Sequence, residues 1–99
     1  MSTKAKLRAE FRIAFPHCWV KPGEDFDGST ARILWSGEGS EIVMPADKYG
    51  PEYLAPAFDM YATGDDYIFG VHKSLNDWAE SRGYYWEAYD GGTYFLYLS

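Results

Sequence analysis

Three side chains in this sequence carry the chemistry of nucleophiles, bases and metal ligands: Cys18, the only cysteine, and the two histidines His17 and His72. A catalytic thiol needs a base within reach and a third group to orient that base. His17 adjoins Cys18, but neighbouring side chains of an extended segment point to opposite sides. His72 meets Cys18 only if the tertiary fold brings them together. None of the three has a partner at ligand spacing, whereas a structural zinc centre takes four ligands. The run Glu24-Asp25-Phe26-Asp27-Gly28 has the composition of a calcium loop. With Gly28 on the invariant glycine, Asp25 and Asp27 fall on ligand positions, but Gly23 takes the first ligand place and Leu34 that of the bidentate glutamate, so the match fails. Gly37-Glu38-Gly39-Ser40 lacks the lysine of a phosphate-binding loop and sets a carboxylate where phosphate would lie. The expectation is no catalytic residue, no metal, no cofactor and no enzyme.

Charge gives the stronger signal. The chain of 99 residues has a net charge of −6, unevenly distributed. Lys4, Lys6, Arg8 and Arg12 face only Glu10 among the first twelve residues. Between Lys21 and Asp66, ten carboxylates (Glu24, Asp25, Asp27, Glu38, Glu41, Asp47, Glu52, Asp59, Asp65 and Asp66) stand against Lys21, Arg32 and Lys48. Such a segment is repelled by phosphate backbones and drawn to basic surfaces, so no direct nucleic-acid binding is expected. One cysteine excludes an intrachain disulfide scaffold. Leu7-Arg8-Ala9-Glu10 stands where a signal peptide needs an apolar run, and no stretch is long and apolar enough for a transmembrane helix. A soluble, cytoplasmic protein without membrane contact is expected.

The elements that position these residues follow from hydrophobic period. With 19% aromatic residues the chain can build a core at one-domain length, and residues 1–99 are read as one domain with a loop-rich acidic middle, 16–66. Leu7, Ala9, Phe11, Ile13 and Phe15 alternate with polar residues, the period of a strand, which Pro16 ends. Thr30–Trp35 and Glu41–Met44 read as short strands of a hairpin from Ile33 to Met44 with a Gly-Glu-Gly tip. Asp47–Ala57, with two prolines, reads as a wandering surface segment. Ile68, Val71, Leu75, Trp78 and Arg82 form one helical stripe, most secure from Ser74 to Arg82. Thr63 with Asp66, or Ser74 with Asp77, supplies the cap, and Gly83 the left-handed stop. The chain closes in a hairpin, Tyr84–Tyr89 and Thr93–Leu98. A three-residue turn would pair Tyr89 with Thr93 and Trp86 with Leu96, with Gly92 at positive φ. The fold class is α+β: an antiparallel sheet of four to five strands on one main helix.

This register leaves Tyr85, Glu87, Tyr89, Phe95 and Tyr97 on the hairpin's outer face, with an acid at the centre and no Arg or Lys. Either another element covers that face or it is an exposed aromatic patch of the kind that marks protein interfaces. The residues expected to meet a partner are therefore Glu24, Asp25, Asp27, Glu38, Asp47, Glu52, Asp65 and Asp66 for steering, and Tyr85, Glu87, Tyr89 and Tyr97 for anchoring. No motif identifies a family. The general style of a tiny acidic aromatic α+β chain is similar to that of phage and mobile-element proteins that block host nucleases or transcription complexes, an analogy rather than a derivation. By that analogy the expected function is a stoichiometric inhibitor of a nucleic-acid-handling complex. The expected partner has a basic surface, such as a CRISPR effector subunit, and the carboxylates compete with DNA for its groove. Two other readings stand beside it. One is a small enzyme or ligand-binding domain with a pocket lined by Trp35, Trp78 and Trp86; the other is a homodimer or larger oligomer joined through the terminal hairpin.

Overall fold

The structure, a computed structural model, describes residues 3–62 and 64–98. It is α+β, as expected, but it opens with a helix rather than a strand. Thr3–Ala14 forms α1 and buries Leu7 and Phe11, four residues apart. The alternation at Leu7–Phe15 fits a strand, yet it also contains the helical spacing Leu7, Phe11, Phe15, built from Lys, Arg, Glu, Ala and Leu, which favour helix. Ile13 decides between them. A strand would bury it with Phe11, and it is 82% exposed. Pro16 ends the element as expected, since it has no N–H to continue the ladder.

The main sheet has four antiparallel strands in the order β1 (Lys21–Pro22), β2 (Leu34–Gly37), β8 (Thr93–Leu98), β7 (Tyr84–Asp90). A four-residue helix, α2 (Glu24–Asp27), follows β1. The expected Ile33–Met44 hairpin does not form. β2 pairs with β8, Leu34 opposite Leu96 and Gly37 opposite Thr93, while β3 (Glu41–Met44) pairs with β4 (Tyr53–Pro56) in a ribbon of its own. β4 therefore replaces part of the surface segment expected at Asp47–Ala57. Two serines explain the corner between β2 and β3. The buried Ser36 hydroxyl donates to the Trp19 carbonyl at 2.6 Å, Ser40 Oγ accepts from the Trp19 N–H at 3.2 Å, and the two hydroxyls lie 3.0 Å apart. They hold the chain against Trp19 and turn it out of the sheet. Gly37 also lies so close to the Gly92 backbone that a Cβ there would overlap it.

A second ribbon, β5 (Tyr67–Ile68) with β6 (Val71–His72), leads into α3 (Lys73–Glu80). The expected stripe holds where α3 buries Leu75, Trp78 and Ala79. Ile68 and Val71 belong to the ribbon instead, and Arg82 lies past the helix end. Of the two caps expected, Thr63 lies outside the described residues, and Ser74 is not the cap. His72 is: its Nδ1 accepts from the Ser74 N–H at 3.1 Å. Gly83 has φ +82, the left-handed stop. The terminal hairpin pairs Trp86 with Leu96 as expected, but a bulge between Ala88 and Asp90 sets Asp90, not Tyr89, opposite Thr93. The turn is thus Gly91-Gly92, Gly92 is not left-handed, and the Asp90 carboxylate accepts from its N–H at 2.9 Å.

α1 and α3 contribute Phe11 and Trp78 to a core shared with the sheet's inner face. Phe11 meets Trp78 at 5.4 Å and Trp86 at 5.8 Å between ring centroids, and Phe58 meets Trp86 at 5.3 Å and stacks on Tyr94 at 4.4 Å. Trp86 Nε1 donates to the Leu75 carbonyl at 3.1 Å, so its polar edge is satisfied inside the core. Among the described residues no helix is long and apolar enough to cross a membrane.

Candidate protein-binding surface

The outer sheet face begins with a row set by the pairing register: Lys21, Trp35, Phe95, Glu87. Tyr85 and Tyr97 are cross-strand partners in the next row and stack with centroids 5.6 Å apart. The short helix α2 lies over this face. Its Phe26 ring meets Tyr89 at 5.0 Å, Phe95 at 5.1 Å and Trp35 at 5.2 Å, all edge-on, the arrangement that aromatic quadrupoles favour. Gly23 allows the approach, since a Cβ there would run into the backbone and Cβ of Arg32.

Arg32 fastens α2 to the sheet. Its guanidinium lies 4.1 Å over the Phe95 centroid, its Nε donates to the Tyr97 hydroxyl at 3.3 Å, and its Nη1 pairs with the Asp27 carboxylate. Arg32 beside it holds the Asp27 carboxyl below the usual aspartate range, helped by the Ser29 N–H. Lys21 takes a similar place over Trp35, 5.0 Å from the ring centroid. Both cations correct the expectation of a face without Arg or Lys. Their sequence signal was slight: a single arginine between an acidic turn and an apolar strand, and a lysine next to Trp19.

The structure thus brings seven of the expected residues onto one surface: Glu24, Asp25 and Asp27 on α2, and Tyr85, Glu87, Tyr89 and Tyr97 beneath and beside it. Coverage is partial. Phe95 is 1% exposed, while Tyr85 is 43% and Tyr89 58% exposed. Each of the two alternatives for this face therefore holds for half of it.

The other expected residues lie elsewhere. Glu38 occupies the β2–β3 corner, and its carboxylate and that of Asp90 flank Gly92. Glu38, Glu41 and Asp59 line a groove of about 360 Å³ with Phe58. Asp47 and Glu52 are exposed on the β3–β4 connection, where Asp47 accepts from the Tyr49 N–H at 2.8 Å and so shapes a turn. Asp65 and Asp66 are exposed before β5, and Asp66 pairs with Lys73 at 3.1 Å rather than capping a helix.

The three tryptophans do not share a pocket. Trp35 lies on the outer face with Trp19 and Phe26, whereas Trp78 and Trp86 are buried on the inner face. Cys18 and His72 are placed as packing and capping groups. Burial pushes the Cys18 thiol up to about 11, and it donates to the Glu41 carbonyl at 3.3 Å. Burial lowers the His72 imidazole below its ordinary value. Among the described residues no group of three or more His, Cys, Asp or Glu is placed to hold a metal ion. No protein-family model, curated protein or solved structure matches the chain.

Proposed function

We propose that this chain is a protein-binding protein that docks through α2 and the outer hairpin face onto a basic surface of a nucleic-acid-handling complex and blocks it stoichiometrically. One observation carries the reading: carboxylates and exposed tyrosines occupy a single surface, with Asp25 and Asp27 exposed on α2 above the aromatic floor and one oxygen of Glu24 buried beside them without a partner. Carboxylates at such a place speed encounter with a basic groove, and half-exposed tyrosines give anchors of low conformational entropy. The surplus of free carboxylates supports it further. Among the described residues only Glu10, Asp27 and Asp66 are in ion pairs, of fifteen acids in the chain. The partner class that fits is a protein whose basic groove otherwise holds DNA or RNA, a CRISPR effector subunit among them, in the cytoplasm of a host exposed to phage or other mobile elements.

The test is competition. Purified CRISPR effector complexes are mixed with labelled target DNA and increasing amounts of the chain, and DNA binding is read by mobility shift. A variant carrying Glu24→Gln, Asp25→Asn and Glu87→Gln keeps Asp27 in place for Arg32. The native chain is expected to displace DNA, and the variant to need about tenfold more protein at low salt, with the difference shrinking as salt rises. Equal potency of the two, or no displacement from any complex tried, rejects the reading. A homodimer is the second reading, favoured by β7, a seven-residue strand at the sheet edge that a second copy would extend; native mass spectrometry at two concentrations decides it.

A further inference from the structure

The turn between β5 and β6 spends backbone strain on an exposed ring. Ile68 pairs with Val71, so Phe69 and Gly70 form a two-residue loop, with φ of +51 and +81. Two positive φ values are the pattern of the hairpin turn that asparagine or aspartate followed by glycine satisfies best. Gly70 suits its place: a Cβ there would lie 2.6 Å from the Tyr94 hydroxyl and 3.1 Å from the Met60 Cα. Phe69 does not suit its own. Among the described residues it is the one non-glycine with positive φ, and a bulky residue there is a genuine outlier. Burial does not offset the strain, because Phe69 is 94% exposed.

The tip is firmly mounted. The Gly70 carbonyl accepts from the Asp59 N–H at 2.8 Å, the His72 N–H donates to the Ala57 carbonyl at 2.9 Å, and Val71 and His72 are 2% and 1% exposed. Exposed apolar residues lie near the turn: Ile68 is 51% exposed, Met60, whose backbone lies against Gly70, is 42% exposed, and Tyr61, next to it in the chain, is 88% exposed. Acids border this patch. The Asp59 N–H donates to the turn and its carboxylate accepts from the Tyr61 N–H at 3.1 Å, and Asp65 and Asp66 precede β5, where Asp66 and Lys73 offset each other's charge.

We infer that Phe69, with Ile68, Met60 and Tyr61, is a preformed anchor that inserts into an apolar cleft of a partner protein whose rim carries lysine or arginine. Strained residues persist where the surrounding structure holds them for a purpose, and a rigid exposed aromatic gives large contact area at low entropic cost. The acidic border selects the occupant. An anionic membrane would repel it, and a second copy meeting it tip to tip would oppose carboxylate to carboxylate, whereas a basic rim is complementary. The inference rests on the protein-binding reading above and adds the residue that anchors it.

The test uses the full chain with Phe69→p-benzoylphenylalanine, and separately Tyr89→p-benzoylphenylalanine, photo-crosslinked in cells of the source organism, with adducts identified by mass spectrometry. The protein joined through position 69 is then purified, and its affinity for the native chain, Phe69→Asn and Tyr49→Asn is measured. Tyr49 is 84% exposed outside the patch and serves as control. The expected result is binding at least about thirtyfold weaker for Phe69→Asn, with Tyr49→Asn within about twofold of native. Phe69→Asn should also melt higher, by about 4–8 °C for relief of strain in a domain of this size. Unchanged affinity of Phe69→Asn overturns the inference, as does a lower melting temperature, which would mean that the ring serves the fold. Crosslinking to a second copy, or flotation of the native chain with phosphatidylcholine vesicles that Phe69→Asn abolishes, overturns it in favour of that occupant. An adduct from position 89 alone rejects the tip and leaves the sheet face standing; no adduct from either position rejects both.

Discussion

The two faces of the four-stranded sheet are built from the same strands, and the outer one is the more aromatic, yet it is the inner one that is more fully buried. The inner face sends Leu34, Tyr94, Leu96 and Trp86 into a core shared with α1 and α3, and none of the four is more than 8% exposed. The outer face sends out Trp35, Phe95, Tyr97, Tyr85 and Glu87 and is roofed by the four residues of α2, with Trp19 against Trp35. Because alternate residues of a strand point to opposite sides, one segment such as Tyr84–Asp90 serves both. What separates the faces is the length of the covering helix and the chemistry under it. Ring-on-ring packing holds both faces; the outer one adds a guanidinium on a ring with a carboxylate above it. Burial is therefore concentrated on one side, and the other leaves Tyr85 and Tyr89 exposed.

The largest expected effect contrasts one aromatic from each face. Trp86→Ala removes an indole that touches Phe11 and Phe58 and donates to Leu75, and should cost about 3–5 kcal/mol. Phe26→Ala removes a half-buried ring from the outer face and should cost about 1–2 kcal/mol. Urea unfolding of both variants measures the contrast. Equal costs would mean that α2 belongs to the core and that the outer face is no candidate for a free surface.

Parts of this division were legible in the sequence. The hairpin register could be argued because Glu87 assigns an outer side and Trp86 opposite Leu96 unites the apolar residues; the α3 stripe was visible because Leu75 and Trp78 repeat at helical spacing. The first element was misread because Leu7–Phe15 satisfies both periods, and only the exposure of Ile13 separates them. The partners of β2 and β3 depend on Ser36 and Ser40 meeting Trp19, a contact between segments about twenty residues apart that no local pattern encodes. The acids on α2 and the tyrosines of the hairpin were both chosen as candidates, but their meeting on one face was not foreseeable, since the contact of Arg32 with Tyr97 spans 65 residues and that of Phe26 with Tyr89 is about as long. Phe69 gave no signal at all, because a phenylalanine before a glycine does not announce a left-handed turn.

Acid sensitivity should divide along the same line. His72, the last residue of β6, is buried, its Nδ1 caps α3, and burial lowers its affinity for protons; Asp66 nearby acts in the opposite sense and Lys73 in the same sense as burial. A base with a lowered folded-state value contributes stability above its unfolded value, about 6.5, and that contribution is lost as pH falls through the folded one. Protonation also fills the lone pair that accepts from the Ser74 N–H. Asp27 is likewise lowered, by Arg32, so the staple on the outer face is intact above the ordinary aspartate value of about 3.9 and is lost only as pH falls through its lower folded value. Melting temperature measured from pH 8 downward should begin to fall below about 6.5. His72→Asn, which keeps a capping side chain, should flatten that first decline and leave the second. A decline unchanged in His72→Asn would place the sensitive group elsewhere.

Cys18 gives the smallest effect and the most selective probe. Its thiol is 7% exposed in the inner core, and its raised value leaves very little thiolate at neutral pH. Labelling by a disulfide reagent therefore requires the inner core to open, and its rate should report that opening alone. In the native chain at pH 8 the reaction should be slow, and reducing agent should leave the melting temperature unchanged. Phe26→Ala should speed labelling by no more than its own loss of about 1–2 kcal/mol allows, about 5–30-fold, whereas Trp86→Ala, at about 3–5 kcal/mol, should speed it by about 150-fold or more because the global opening becomes far less costly. If Phe26→Ala accelerates labelling as much as Trp86→Ala, opening on the two faces is one event. The outer face would then be bound to the core's own stability, and a partner could not occupy it without feeling the whole fold.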